Sequence, residues 1–151
     1  MLTRVLGFDF GLRRIGIAIG QSLTGTASPV SILLADNGVP QSWPAIDALI
    51  KEWNPNVLVV GIPLNMDGSE CSVTMAAKVF MQSLQARSPL PVHPVDERLT
   101  TKEARLQLKE QQRTKISAQR VDALAACLIA ETWLSNKSPP SLSPSSLEEE
   151  G

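Results

Sequence analysis

Asp9 stands inside the apolar run Val5-Leu6-Gly7-Phe8-Asp9-Phe10-Gly11. A carboxylate in a strand bound for the core costs on the order of several kcal/mol unless it is paired, hydrogen-bonded or bound to a cation. Two readings are open for it: a rigidly held carboxylate facing a ligand, or the cap of the following turn, a role Asp often fills. A second chemical pattern is basic. Arg98, Lys102, Arg105 and Lys109 recur at steps of four, three and four, which lines four cations along one helical face, and Arg113 and Lys115 follow. Half of the chain's 14 basic residues lie between Arg98 and Arg120, against two acidic ones. That imbalance is the footprint of a phosphate-backbone contact; a solvated helix face is the plain alternative. Arg13 and Arg14, close after Asp9, extend the same surface.

Other chemistries are narrowed by what is scarce. His93 is the single histidine, so a histidine-rich metal site is excluded and a Ser-His-Asp triad would depend on one residue. Beside Pro94 it reads as structural. Cys71 and Cys127 lie far apart in no metal-ligand spacing, and both are expected as reduced thiols. A bound metal would be held mainly by carboxylates, which favours magnesium or manganese. Net charge is −1, but the last seventeen residues hold one lysine and three glutamates, leaving 13 basic and 12 acidic side chains and a net of +1 in the body. Overall charge therefore says nothing about a nucleic-acid partner, and local patterning must decide.

These groups need elements to position them. The apolar run at Asp9 and a second one, Ile15-Gly16-Ile17-Ala18-Ile19-Gly20, are joined by a short link starting at a glycine, as in a β-hairpin. Asp9 then falls near the turn end of the first strand. Gly25 to Leu33 predicts a third strand, with Pro29 tolerable only at an edge, and 35–41 a loop. Ser42 is an N-cap for a helix with Ile46, Leu49, Ile50 and Trp53 at helical spacing, stopped by Asn54-Pro55. Val57 to Ile62 is apolar without alternation, as in a parallel strand covered on both faces. The loop Pro63-Leu64-Asn65-Met66-Asp67-Gly68 follows at its C-terminal end, where open α/β sheets place ligands. Asn65, Asp67 and Gly68 would shape a cleft rim there, although Asp67-Gly68 is also a good turn.

A helix over 72–87 buries Val73, Ala76, Ala77, Phe80 and Leu84. Pro91 to Val95 is a short strand that Pro94 assigns to the sheet's other edge, ending at Asp96-Glu97-Arg98. Thr100 with Glu103 forms a capping box for a charged helix to about Gln111. Ser117 caps a last helix with Val121, Leu124, Ala125, Leu128 and Leu134 as its apolar stripe. The Ser-, Pro- and Glu-rich residues 135–151 are expected to be a disordered tail, leaving one domain over 1–134. The order βββαβαβαα implies an α/β, ribonuclease H-like layout: a five-stranded mixed sheet of order 3-2-1-4-5 flanked by helices. No apolar run approaches bilayer-spanning length, and Met1-Leu2-Thr3-Arg4 leads into the first strand without a signal peptide. A cytoplasmic protein with no membrane partner is expected.

Gly7-Phe8-Asp9-Phe10-Gly11, the segment Gly61 to Gly68, Asp96-Glu97-Arg98-Leu99-Thr100-Thr101 and Asp122-Ala123-Leu124-Ala125-Ala126 together resemble the YqgF family, also called RuvX, of Holliday junction resolvase-like proteins and ribosomal RNA precursor nucleases. The resemblance covers roughly Arg4 to Leu134. It implies a metal-dependent nuclease, using Mg2+ or Mn2+, that trims the 5′ end of the small-subunit (16S) rRNA precursor. Structured RNA would be its partner, with branched DNA and the ribosome as further candidates. The family's acidic residues map onto Asp9, Glu97 and Asp122, as catalytic groups and metal ligands. Three carboxylates from three elements suit two-metal phosphodiester hydrolysis; singly, each could cap a helix or pair at the surface. True junction resolvases also carry an acid at or after the central strand, where this chain has Ile62-Pro63-Leu64-Asn65. Two rival functions remain. Asp-x-Gly in a hairpin also cradles ATP phosphates in actin-like folds, but those close two domains on the nucleotide. A non-catalytic nucleic-acid-binding module would gain nothing from carboxylates near phosphate.

Overall fold

In the computed structural model of the protein, residues 2–97 and 118–137 are described, and in the last helix the side chains of 124–136. The two apolar runs at the start form β1 (Arg4–Asp9) and β2 (Arg14–Gln21), antiparallel, with Asp9 opposite Gly16. β3 (Thr26–Asp36) and β4 (Val39–Pro40) continue the antiparallel side. After α1 (Trp43–Trp53), β5 (Val57–Ile62) runs parallel to β1; after α2 (Ser72–Arg87), β6 (Val92–Asp96) runs parallel to β5. α3 (Ala118–Lys137) follows. The sheet order is β4-β3-β2-β1-β5-β6.

The expected order 3-2-1-4-5 is kept, with β5 and β6 in its last two places, and one strand is added at the edge. The predicted loop over 35–41 contains β4. Asn37 (φ 52°) and Gly38 (φ 88°) form the two-residue turn between paired Asp36 and Val39. Positive φ at both central positions is the hairpin geometry that Asn-Gly favours, so β3 runs on to Asp36 instead of stopping at Leu33. Because β4 pairs only with Ala35 and Asp36, the outer side of β3 is an edge at Pro29, as a residue without an N–H requires.

Local chemistry sets the helix ends. The Ser42 side chain accepts a hydrogen bond from the Ala45 N–H at 3.2 Å, and Asn54 closes α1 in the left-handed conformation (φ 46°). All six residues of β5 are buried. One sheet face packs Leu6, Phe8, Ile15, Ile17, Leu58 and Val60 against Ile46 of α1 and Ala77, Phe80 and Leu84 of α2. Each large side chain so buried contributes about 1.5–3 kcal/mol. Arg87 at the end of α2 ties the two helices by donating to Asp47 at 2.7 Å and lying over the Trp43 ring.

The other face receives α3 at close range. A Cβ on Gly7 would stand 3.1 Å from Ala130 Cβ and 3.2 Å from the Ala126 carbonyl oxygen. The deeply buried residues of α3 are accordingly Ala126, Cys127, Ile129, Ala130 and Leu134. Of the predicted stripe, Leu134 is buried, Leu124, Ala125 and Leu128 are half-buried, and Val121 lies outside the described side chains. Ala126 and Ala130 are the residues set against Gly7, where only small side chains let the helix backbone come so near the sheet. Glu131 adds a polar tie, accepting from the Ala27 N–H of β3 at 2.9 Å. α3 continues to Lys137, three residues past the expected domain end; 138–151 lie outside the described residues.

Candidate active site

Alternation along β1 puts Val5, Gly7 and Asp9 on the face that meets α3. Val5 packs with Val57, Val59, Ile129 and Leu134 there, and Gly7 touches Ala126 and Ala130. Asp9 is half-buried at the C-terminal end of this row. Both of its cross-strand partners are glycines, Gly16 on β2 and Gly61 on β5. No neighbouring Cβ therefore crowds the carboxylate within the sheet.

The space over Gly61 is shared by Ile129 of α3 and by Glu97, whose Cγ lies 3.2 Å from where a Cβ on Gly61 would stand. Glu97 follows the last residue of β6, and its side chain turns back across the sheet toward the strand beside Asp9. Asp96 points to the opposite face, where it lines a separate pocket with Ile62, Leu64 and Pro94. The pleat thus sorts the two adjacent acids: Glu97 shares a face with Asp9 and Asp96 does not.

α3 runs antiparallel to β1. Leu134 sits over Gly20, the register partner of Val5, and Ala130 and Ala126 sit over Gly7. From Gly7 to Asp9 is two strand residues, about 6.6 Å; from Ala126 back to position 122 is four helical residues, about 6 Å. From Ala126 the backbone of α3 runs back toward position 122 in the direction of the Asp9 end of β1. The Asp122 side chain lies outside the described residues.

Asp9 opens onto a cleft of about 1270 Å³ bounded by Arg13, Arg14, Leu34, Asp36, Asn37 and Gln41. Arg13 and Arg14 are both exposed on its wall. The other expected phosphate contacts, Arg98, Lys102, Arg105, Lys109, Arg113 and Lys115, lie outside the described residues. Leu34, Asn37 and Gln41 carry no chemical signal in the sequence, although Asn37-Gly38 is a strong hairpin signal.

Asp67 serves its own turn, with Oδ1 accepting from the Ser69 N–H at 2.9 Å and from its hydroxyl at 2.6 Å. His93 stacks on Trp133, ring centroids 5.7 Å apart, away from the cleft. The two thiols diverge. Hydrogen bonds from Thr74 at the start of α2 hold Cys71 below the ordinary thiol range, whereas burial, with Glu131 beside it, pushes Cys127 up to about 11. No helix among the described residues is long and apolar enough to cross a membrane.

The family model for RuvX, described as Holliday junction resolvase, matches residues 3–136. A Coxiella burnetii (strain Dugway 5J108-111) protein named "Putative pre-16S rRNA nuclease" is 56% identical over 129 residues, 85% of this chain and 90% of that protein. An Azotobacter vinelandii protein of the same name is 48% identical over 134 residues, 88% and 94% of the two chains. Among solved structures, T. thermophilus RuvC in complex with a Holliday junction substrate matches with a TM-score of 0.57 at 13% identity, covering 90% of this chain and 97% of that one. That likeness fixes the ribonuclease H-like fold.

Proposed function

Because the chain belongs to the RuvX family, we propose that it is a metal-dependent nuclease that matures the 5′ end of the 16S rRNA precursor, with Asp9, Glu97 and Asp122 as its acidic centre. The observation that carries this reading is the placement of Asp9 and Glu97 on one sheet face, with Asp9 opening onto a cleft walled by Arg13 and Arg14. Asp9 on β1 and Glu97 just past β6 reach the same sheet face from either side of β5. Their oxygen donors suit a hard divalent ion, Mg2+ or Mn2+. Asp9 and Glu97 would hold it, with Asp122 joining from α3. When bound, such ions supply charge neutralisation at the scissile phosphate and lower the pKa of water.

The chain's own residues do the rest. Asp9 is fixed by the β1 ladder and by the packing of Phe10 against Phe80, centroids 5.5 Å apart; that rigidity keeps the oxygens in place as charge develops on the phosphate. Arg13 and Arg14 attract and orient the phosphate backbone. Backbone hydrogen bonds from Ala35 N–H to the Arg13 carbonyl (2.8 Å) and from Gly38 N–H to the Leu12 carbonyl (2.9 Å) hold the loop that carries them. Two features support an rRNA substrate over a four-way junction: the relatives' name, and the absence of an acid in Ile62-Pro63-Leu64-Asn65. The test is cleavage, with Mg2+ and with Mn2+, of an RNA spanning the 16S 5′ leader and of a four-way DNA junction, each against an Asp9→Asn control. Cleavage of the RNA by the wild type alone supports the reading; cleavage of the junction only replaces it with resolvase activity, and no cleavage of either substrate leaves a binding module.

A further inference from the structure

The proposed chemistry uses one end of the cleft, the end with Asp9, Arg13 and Arg14. The β3–β4 wall of the same cleft is built differently. Leu34, Asn37 and Gln41 line it, which sets an aliphatic side chain beside two primary amides. Leu34 is 55% exposed, although it sits in a strand, and its register partner is Arg14. Directly paired residues share a face, with Cβ atoms about 5 Å apart, so an apolar surface lies next to a phosphate-binding cation. An amide offers both a donor and an acceptor, the pairing that nucleobase edges require and phosphates do not. Asp36, exposed on the same rim, disfavours a phosphate at this wall by its charge.

This wall is also preformed. The Gln41 N–H donates to the Leu34 carbonyl at 2.9 Å and the Gly38 N–H to the Leu12 carbonyl at 2.9 Å. Gly38 seats the turn on Phe10: a Cβ there would stand 2.9 Å from Phe10 Cζ. The β3–β4 hairpin is thereby latched onto the residue that follows Asp9. At about 1270 Å³ the cleft exceeds the roughly 300–1,000 Å³ of ordinary small-ligand pockets, in keeping with a stretch of polymer rather than a free nucleotide.

We propose that the β3–β4 hairpin is a nucleoside subsite: Leu34 packs against an unstacked base or its ribose, Asn37 and Gln41 bond its edge, and the enzyme therefore takes single-stranded RNA beside the bond it cuts. This rests on the reading of Asp9 as the cutting end of the cleft. Duplex RNA keeps its bases stacked and paired edge to edge, and its deep major groove admits no such reading, whereas single strands present both faces and edges.

The experiment is binding, measured by fluorescence anisotropy on the full chain carrying Asp9→Asn, so that a protein that never cuts still gives an answer. The probes are a labelled single-stranded RNA, the same strand annealed to its complement, and an abasic strand of equal length. Asn37→Gly keeps the positive-φ turn while deleting the amide, and is combined with Gln41→Ala; Leu34→Ser is a separate variant. The expected result is a loss of single-strand affinity of at least fivefold in each variant, an unchanged salt slope, unchanged duplex binding, and no loss on the abasic strand. Equal losses on single strand and duplex, or none on either, would overturn the subsite. A circular dichroism melt within a few degrees of the parent shows that the variants are folded; should Leu34→Ser melt early, the amide pair alone decides. Failure of the nuclease reading appears elsewhere, in the cleavage assay.

Discussion

Glu97 lies over Gly61, the β5 residue paired with Asp9: a Cβ on Gly61 would stand 3.2 Å from Glu97 Cγ, and 2.4 Å from Ile129 Cδ1. One small residue thus lets an acid from the end of β6 and the close-packed helix α3 both meet the strand beside Asp9.

Gly61→Ala is expected to lower stability by about 1–2 kcal/mol through overpacking and to reduce cleavage at least tenfold. Adding Ile129→Val removes the Cδ1 atom in the tighter clash. That double variant should regain most of the stability, read by urea unfolding, without regaining activity, because Glu97 stays displaced. Full recovery of both would show that the position of Glu97 is immaterial.

Arg13→Ala with Arg14→Ala should weaken RNA binding mainly at low salt. Each phosphate on a single strand that a protein cation ceases to neutralise lowers the log–log salt slope by about 0.7, so a fall of roughly 1.4 is expected from an anisotropy titration series. An unchanged slope would place the two arginines off the backbone path.

Much of this architecture is written locally. Ser42 and Asn54-Pro55 bracket α1, and the unbroken apolar run of β5 announces a strand covered on both faces, because capping and burial act over a few residues. Whether Asp9 faces a ligand or caps a turn is not written locally; its surroundings come from three-dimensional register, in which its neighbours are glycines 7 and 52 residues away in sequence. The inward face of α3 departs from its expected stripe for a related reason. Large apolar residues ordinarily mark the buried side, but the approach of α3 to Gly7 reverses that preference in favour of Ala126 and Ala130. The Asn37-Gly38 turn is legible in principle, but the two-residue strand after it is too short to show alternation.

Divalent ions should raise the melting temperature if the acids share a site, since binding to the folded state alone stabilises it by about 2.7 kcal/mol at a hundredfold excess over Kd. Asp122→Asn is expected to shrink the Mg2+- or Mn2+-induced shift and to leave the metal-free melt equal or slightly higher, because one repelling charge is gone. A full-sized shift in this variant, measured by differential scanning calorimetry, would remove Asp122 from the centre.

The thiols predict a pH dependence. Burial raises Cys127 to about 11 in the folded protein against 9.0 unfolded, so folding retains a proton that the unfolded chain releases. The associated stability is complete below about pH 9 and is lost as pH rises toward 11. Cys127→Ala should flatten urea-derived stability across that window. Cys71, whose thiolate is favoured by Thr74, should react first with a thiol reagent at neutral pH, and Thr74→Val should slow it.

The central claim, that Asp9 and Glu97 form the cutting centre, is tested most directly by single-turnover cleavage of an RNA carrying the 16S 5′ leader in Mg2+ or Mn2+. Asp9→Asn and Glu97→Gln are compared with the wild type at matched folded fraction. The account predicts cutting by the wild type and at least a hundredfold slower cutting by each variant, with melting temperatures unchanged or raised. Cutting by either variant at the wild-type rate would contradict it.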